Sequence, residues 1–137
     1  MTPIRYRLTW NDVDYARVVH FLRCYVWVDE AFHNHLYQRG FQVRKFIEQG
    51  YGLPYIGSSC RYMRQLTLDD EVELHLSITK IDAKGFTLQF RINKVGDTAI
   101  AAEGEMVRRC IQAAPPKSVA MPQLLVDALA GFVPSAP

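Results

Sequence analysis

The sequence predicts an α+β fold in which one long apolar helix packs on a single antiparallel sheet of about five strands. Three observations predict it. Phe21, Tyr25, Val28, Phe32 and Leu36 recur at helical spacing, and Val18, Val19, Leu22, Val26 and Trp27 widen that stripe almost all the way round. Later runs alternate apolar and polar residues and are joined by short Gly- and Asp-containing turns. The length of 137 residues fits one domain, and a chain of that size hides roughly 68–70% of its unfolded surface without a metal or disulfide staple.

In chain order, Ile4-Arg5-Tyr6-Arg7-Leu8-Thr9-Trp10 alternates as a strand with one wet face, and Asn11-Asp12-Val13-Asp14 reads as a turn. One helix is predicted over about Val18 to Gln38, polar in its second half and stopped by Gly40. Phe41 to Gln49 fits a short second helix. Strands are predicted from Leu53 to Gln112. Val72, Leu74, Leu76 and Ile78 share one face, and Phe86, Leu88, Phe90 and Ile92 share another. Ile100, Ala102, Gly104 and Met106 continue the pattern, which Arg108 breaks, so the last strand is expected to bend or meet an edge there. Ala99, Ala101, Ala102 and Gly104 are small enough for something bulky to approach. Ala113 to Met121 reads as a connector, and Pro122 opens a short terminal helix. Residues 1–112 thus form the main domain, and 113–137 a connector and short helix packed on it.

Composition narrows the function classes. Apolar residues at 49% and charged residues at 22% exclude a disordered chain. A net charge of +2, from 16 basic and 14 acidic residues, is too balanced for a nucleic-acid binder. The apolar run Val18 to Val28 is interrupted by His20 and Arg23 and is shorter than the ~20 residues a membrane span requires. Residues 1–16 carry Arg5, Arg7, Asp12 and Asp14 and lack the apolar region of a targeting signal. Cys24, Cys60 and Cys110 are spaced for neither a zinc site nor a redox pair, which fits quiet thiols in a reducing cytoplasm.

No Gly-x-Ser-x-Gly elbow or phosphate-binding glycine loop is present. His33 and His35 are two apart and face different ways on a helix, so no metal site is expected, and all four histidines read as solvated surface or helix flank. What remains is Asp12 and Asp14, at the junction of a strand and the most buried helix. Capping explains one aspartate well and two less well. A carboxylate beside exposed helix-start amides can instead act as nucleophile or general base while the amides bind developing negative charge.

At this point the chain resembles the hotdog-fold acyl-CoA thioesterases, most closely the 4-hydroxybenzoyl-CoA thioesterase family. The resemblance rests on Asp12-Val13-Asp14-Tyr15-Ala16-Arg17-Val18-Val19-His20-Phe21, on Trp27-Val28-Asp29, and on Pro54-Tyr55-Ile56-Gly57-Ser58 followed by Asp69-Asp70. It covers about residues 4–112 and implies a long central helix wrapped by the sheet. It also implies a homodimer, or a tetramer of dimers, acting on an acyl-CoA whose coenzyme A is part of the substrate, with no separate cofactor. By the same resemblance Asp14 is the catalytic carboxylate and the backbone amide of Phe21 polarises the thioester carbonyl. Asp29 reaches an acyl-ring hydroxyl across the dimer interface, beside Trp27. Lys84 falls on a basic turn position that meets a CoA phosphate in the family, while its type and place alone favour a solvated turn lysine. Two departures stand out. Arg17 replaces the family's glycine, so it either reaches a CoA phosphate or narrows the pocket. His20 sits one residue before the position where a related branch carries histidine, a rotation of about 100° on a helix, so it is placed at the pocket mouth or flank. The alternative function is a non-catalytic acyl-CoA or acyl-ligand binder on the same fold. A hydroxyacyl dehydratase ranks third.

Overall fold

The computed structural model describes residues 3–20 and 22–132. Its elements are β1 (Ile4–Arg7), α1 (Arg23–Gln38), α2 (Val43–Glu48), β2 (Tyr51–Gly52), β3 (Tyr55–Tyr62), β4 (Glu71–Asp82), β5 (Gly85–Lys94), β6 (Ile100–Arg109), β7 (Ile111–Ala113), β8 (Pro116–Ser118) and α3 (Gln123–Leu129). Short 3-10 turns cover Trp10–Asp12 and Ala130–Phe132. Five antiparallel strands form one sheet in the order β1-β4-β5-β6-β3. With the 16-residue α1 wrapped by that sheet, this is the hotdog fold.

Alternation in β4 and β5 places Val72, Leu74, Leu76, Ile78, Phe86, Leu88, Phe90 and Ile92 in one core with Trp27, Val28, Ala31, Phe32 and Leu36 of α1. Each large apolar side chain buried there contributes about 1.5–3 kcal/mol. The small stretch on β6 has a definite tenant. Gly104 pairs with Phe90, whose ring lies where a Cβ at position 104 would stand, and Tyr25 meets that ring edge-on at 6.2 Å. Backbone of β3 also crowds position 104, so any side chain there would push the edge strand off β6.

The predicted helix starts five residues late. Val18 and Val19 form bridges to Thr67 and Val13, and α1 begins only at Arg23. β-branched valines accept an extended backbone readily, and here they supply a short crossing rather than a helical turn. At the other end Gly40, at φ +84°, closes α1 as expected. Its amide donates to Tyr37 O at 3.0 Å and that of Phe41 to Leu36 O at 3.0 Å, the paired bonds of a glycine cap.

Two further expectations need correction. The predicted connector over 113–121 contains β8, which with β7 and β2 makes a second, three-stranded sheet. Arg108 lies at no edge, for it pairs with Phe86 on one side and Tyr55 on the other. The irregularity is in β3, whose register shifts between Tyr55 and Gly57. α3 follows Pro122 and adds Leu125, Ala128 and Leu129 to the core, and Phe132 beyond it packs on Phe32 at 5.2 Å. The remainder of the predicted C-terminal segment, 133–137, lies outside the described residues. No helix among the described residues is long and apolar enough to cross a membrane.

Candidate active site

The segment between β1 and α1 is built around Asp12, which has no exposed surface. Its Oδ2 accepts the Thr9 amide at 2.8 Å and the Thr9 hydroxyl at 3.1 Å. Its Oδ1 accepts Arg23 Nε at 2.9 Å and the Trp27 indole N–H at 3.0 Å. Burial pushes this carboxyl's pKa up, but the bonds from Thr9, Trp27 and Arg23 outweigh it and hold the pKa below the usual carboxylate value. The Asp12 carbonyl accepts the His20 amide at 2.7 Å, which closes the loop on itself.

The same construction recurs at Asp70. Its Oδ2 accepts the Thr67 amide at 2.8 Å and hydroxyl at 3.1 Å, with Lys94 Nζ at 3.3 Å. The two turns are clamped together, since Leu8 N donates to Asp70 O, Asp69 N to Leu8 O, and Val19 N to Leu66 O. The shared Thr-x-x-Asp spacing at 9–12 and 67–70 was present in the sequence as a signal for these turns.

Asp14 is held differently. It is half-buried, and its Oδ1 accepts one bond, from the Ala16 amide at 2.8 Å. Its Oδ2 accepts none among the described residues. Arg17, exposed, takes φ +67° while its amide donates to Asp14 O at 2.9 Å. The arginine therefore adopts the left-handed backbone that glycine takes most easily. His20 is half-buried beside this loop, and its Nδ1 accepts the Leu22 amide at 3.3 Å. Phe21, whose amide the sequence nominated, lies outside the described residues.

Asp29 is one α1 turn and more beyond, at a separate feature. It lines a cavity of about 170 Å³ with Phe32, His33, Leu36, Phe41, Val43, Phe46, Ile47, Gly52, Leu53 and Arg108. The Tyr55 hydroxyl donates to Asp29 Oδ1, and Arg108 Nη1 lies 3.5 Å from the same oxygen. Burial, with the Asp29 bond second, pushes the Tyr55 pKa up, so the phenol stays protonated and keeps donating. Sequence reasoning missed the cavity and both of these partners, although the pattern break at Arg108 was visible. Trp27 faces elsewhere, buried with its ring 5.2 Å from Tyr6. Lys84 is exposed in the β4–β5 turn. The structure thus brings Asp12, Asp14, Arg17 and His20 together on one loop and sets Asp29 and Lys84 apart from it.

One histidine is no surface group. His35 packs on Phe132 at 4.0 Å, its Nε2 is buried without a partner among the described residues, and burial, helped by Arg39, lowers its pKa. Nor are the thiols independent. Cys24 on α1 and Cys60 on β3 share a hydrogen bond that raises the first and lowers the second.

This geometry can be set beside known proteins. The profile of the thioesterase-like superfamily matches residues 8–129. The chain belongs to that superfamily. Membership agrees with the resemblance to the 4-hydroxybenzoyl-CoA thioesterases. A 1,4-dihydroxy-2-naphthoyl-CoA hydrolase from Thermosynechococcus vestitus is 28% identical over 141 aligned positions, 99% of this chain and 92% of the relative. A second, from Prochlorococcus marinus, is 25% identical over 96 positions, 64% of this chain and 62% of the relative's length. Among solved structures, a gentisyl-coenzyme A thioesterase superposes with a TM-score of 0.79 at 26% identity, over 93% of this chain and 99% of that one. A 1,4-dihydroxy-2-naphthoyl-CoA thioesterase from Synechocystis superposes at 0.87 with 22% identity, over 93% and 94%, which shows the shared fold.

Proposed function

We propose that the protein hydrolyses acyl-CoA thioesters with an aromatic acyl group, and that Asp14 is the reacting carboxylate. The observation that carries this reading is the unequal treatment of two neighbouring aspartates. Asp12 spends both oxygens on the protein, whereas Asp14 keeps Oδ2 uncommitted on a loop that Asp12 holds in place. In hydrolysis, Asp14 either attacks the thioester carbonyl to form a mixed anhydride or removes a proton from the attacking water. In both routes the carbonyl oxygen gains negative charge, which the Phe21 amide is assigned to stabilise, and coenzyme A leaves as a thiolate that takes a proton from water; in the first route water then hydrolyses the anhydride, releasing the acid and regenerating Asp14.

The relatives support an aromatic acyl group, since those named act on dihydroxynaphthoyl- and gentisyl-CoA. The cavity at Asp29 supports it too, because a cavity of about 150 Å³ with aliphatic and aromatic walls accommodates benzene. Trp27 acts behind this site, by holding Asp12. Arg17 keeps the loop in a glycine-like shape with its side chain exposed, free to meet a CoA phosphate, and Lys84 is exposed at the hairpin for the same role. His20 flanks the pocket. We assign a homodimer formed through the outer edge of β3, which offers unpaired backbone with Tyr55, Ile56 and Tyr62 exposed, while the opposite edge strand β1 has only four residues.

The test is thiol release from benzoyl-, hydroxybenzoyl-, dihydroxynaphthoyl-, and short- and long-chain acyl-CoAs, run beside Asp14→Asn. Turnover of an aromatic ester that disappears in the variant is expected. Binding without release of thiol would instead assign the protein as an acyl-CoA binder.

A further inference from the structure

We propose that Cys24 and Cys60 are a redox modification site: Cys60 is the thiol that a peroxide oxidises, and Cys24, buried behind it, closes a disulfide between α1 and β3. The pair stands apart from the thioesterase reading, and its test uses no thioester.

The two cysteines are far apart in the chain, and the fold brings them together. Cys24 lies in the first turn of α1 and has no exposed surface. On β3, Ser59 and Arg61 are exposed, whereas Cys60 between them is half-buried and packs on the core. Strand side chains alternate between two faces, so Cys60 points inward while its neighbours point out. Its sulfur shares a hydrogen bond with that of Cys24 and accepts a second from the Tyr62 hydroxyl, further along the same face of β3. Gly104 of β6 keeps the edge strand close. It is the Cα partner of Cys60, and a Cβ at position 104 would stand 2.9 Å from Cys60 Cα.

Hydrogen bonding and burial then divide the roles. The Cys24 bond lowers the Cys60 pKa, and the Tyr62 bond adds to it against the effect of burial. The Cys60 bond and burial both raise the pKa of Cys24. The thiolate therefore forms on the sulfur that is partly open, and a thiolate rather than a thiol attacks peroxide. Cys60 Sγ attacks one peroxide oxygen. An S–O bond forms, the O–O bond breaks, and hydroxide leaves and takes up a proton to become water. Cys60 is then a sulfenic acid, oxidised by two electrons that the peroxide has gained. Cys24 Sγ, giving up its proton, attacks the sulfenic sulfur. The S–S bond forms, the S–O bond breaks, and a second water leaves. Two thiols and one peroxide thus become one disulfide and two waters. Arg23, next to Cys24, holds Asp12, so the new bond fastens the turn that anchors the Asp12–Asp14 loop to the sheet edge. Cys110 takes no part. It is buried, its thiol meets the Ala120 carbonyl at 3.9 Å, and burial pushes its pKa up.

The experiment treats the full chain with hydrogen peroxide, records the intact mass, blocks the remaining thiols with N-ethylmaleimide under denaturing conditions, and maps the peptides by mass spectrometry without reduction. A loss of about 2 Da per chain is expected, with a peptide pair joined through Cys24 and Cys60, an alkylated Cys110, and reversal by dithiothreitol. Dimedone present during the reaction should label Cys60 and not Cys24. In Cys24→Ala the labelled sulfenic acid should accumulate, and in Cys60→Ala peroxide consumption should slow by at least about 10-fold. Four results each overturn the proposal: both thiols still free after peroxide, a Cys60–Cys60 link between two copies, Cys60 passing to sulfinic acid in the wild type, or dimedone on Cys24. Thermal melts check that each variant folds. If neither does, peptide mapping and dimedone labelling of the wild type decide alone.

Discussion

The inner and outer halves of the β1–α1 connection use the same side chain for opposite purposes. In the inner half, Trp10–Asp12, a carboxylate is sealed from solvent and all its bonding capacity is spent on Thr9, Arg23 and Trp27. In the outer half, Asp14–Arg17, a carboxylate makes one local bond, and the backbone passes through a strained left-handed residue. A group can be reactive only if its lone pairs are not already committed, and it can be precise only if its neighbours are. The connection divides those requirements between two aspartates.

The largest effect expected from breaking this contrast is in turnover. Asp14→Asn should lower thiol release by about 10²- to 10⁴-fold, the usual contribution of a positioned acid or base. Its melting temperature should barely move, because an amide oxygen can still accept from Ala16. Asp12→Ala should do the reverse in kind and destabilise first. Removing one partner of a buried ion pair costs about 3–5 kcal/mol, and the low end applies because Arg23 is 26% exposed and regains water. Urea unfolding would measure it, and the folded fraction should also lose activity, though less than Asp14→Asn, because Asp12 holds the loop that carries Asp14.

Acid supplies the next test. The pKa values of Asp12 and Asp70 are lower folded than unfolded. Their stabilisation is therefore complete above the unfolded carboxylate value of about 3.9 and is lost as pH falls through the folded values. Melts taken from pH 7 to 2 should turn down below about pH 4, and Asp12→Asn should flatten that fall. A smaller effect of opposite sign is expected at Arg17→Gly. Releasing a left-handed arginine should stabilise by about 0.5–1 kcal/mol after the extra entropy of an unfolded glycine, read as a small rise in melting temperature. The smallest change sharpens the contrast from outside the loop. Glu73→Gln breaks the Arg5 ion pair at 3.3 Å, whose arginine is 61% exposed, and should stay within about 0.5 kcal/mol in the same melts.

Much of this was legible in the chain itself. Strict alternation at 72–78 and 86–92 determined two neighbouring strands and their buried face, because a side chain on a strand has only two directions to point. Gly40 marked the end of α1 because few other residues tolerate the turn a helix needs to stop. Helical spacing found α1 but misplaced its start, since apolar residues at 18 and 19 satisfy helix and strand periodicity equally over so short a run, and pairing with Thr67 decided between them. The order Asp12, Asp14, Asp29 nominated the carboxylates, yet nothing local separated a sealed aspartate from an open one. That division was made by Thr9, Arg23 and Trp27 converging from a turn and a helix. Arg108 was visible as a break in the pattern, and only the packing of β3, β6 and α1 gave it Leu53, Tyr55 and Asp29 as partners. Local rules act on neighbours along the chain, so sequence alone determined elements and candidate groups. Contacts between residues as distant as 29, 55 and 108 exist only once the chain has closed on itself, and those were decided by the tertiary structure.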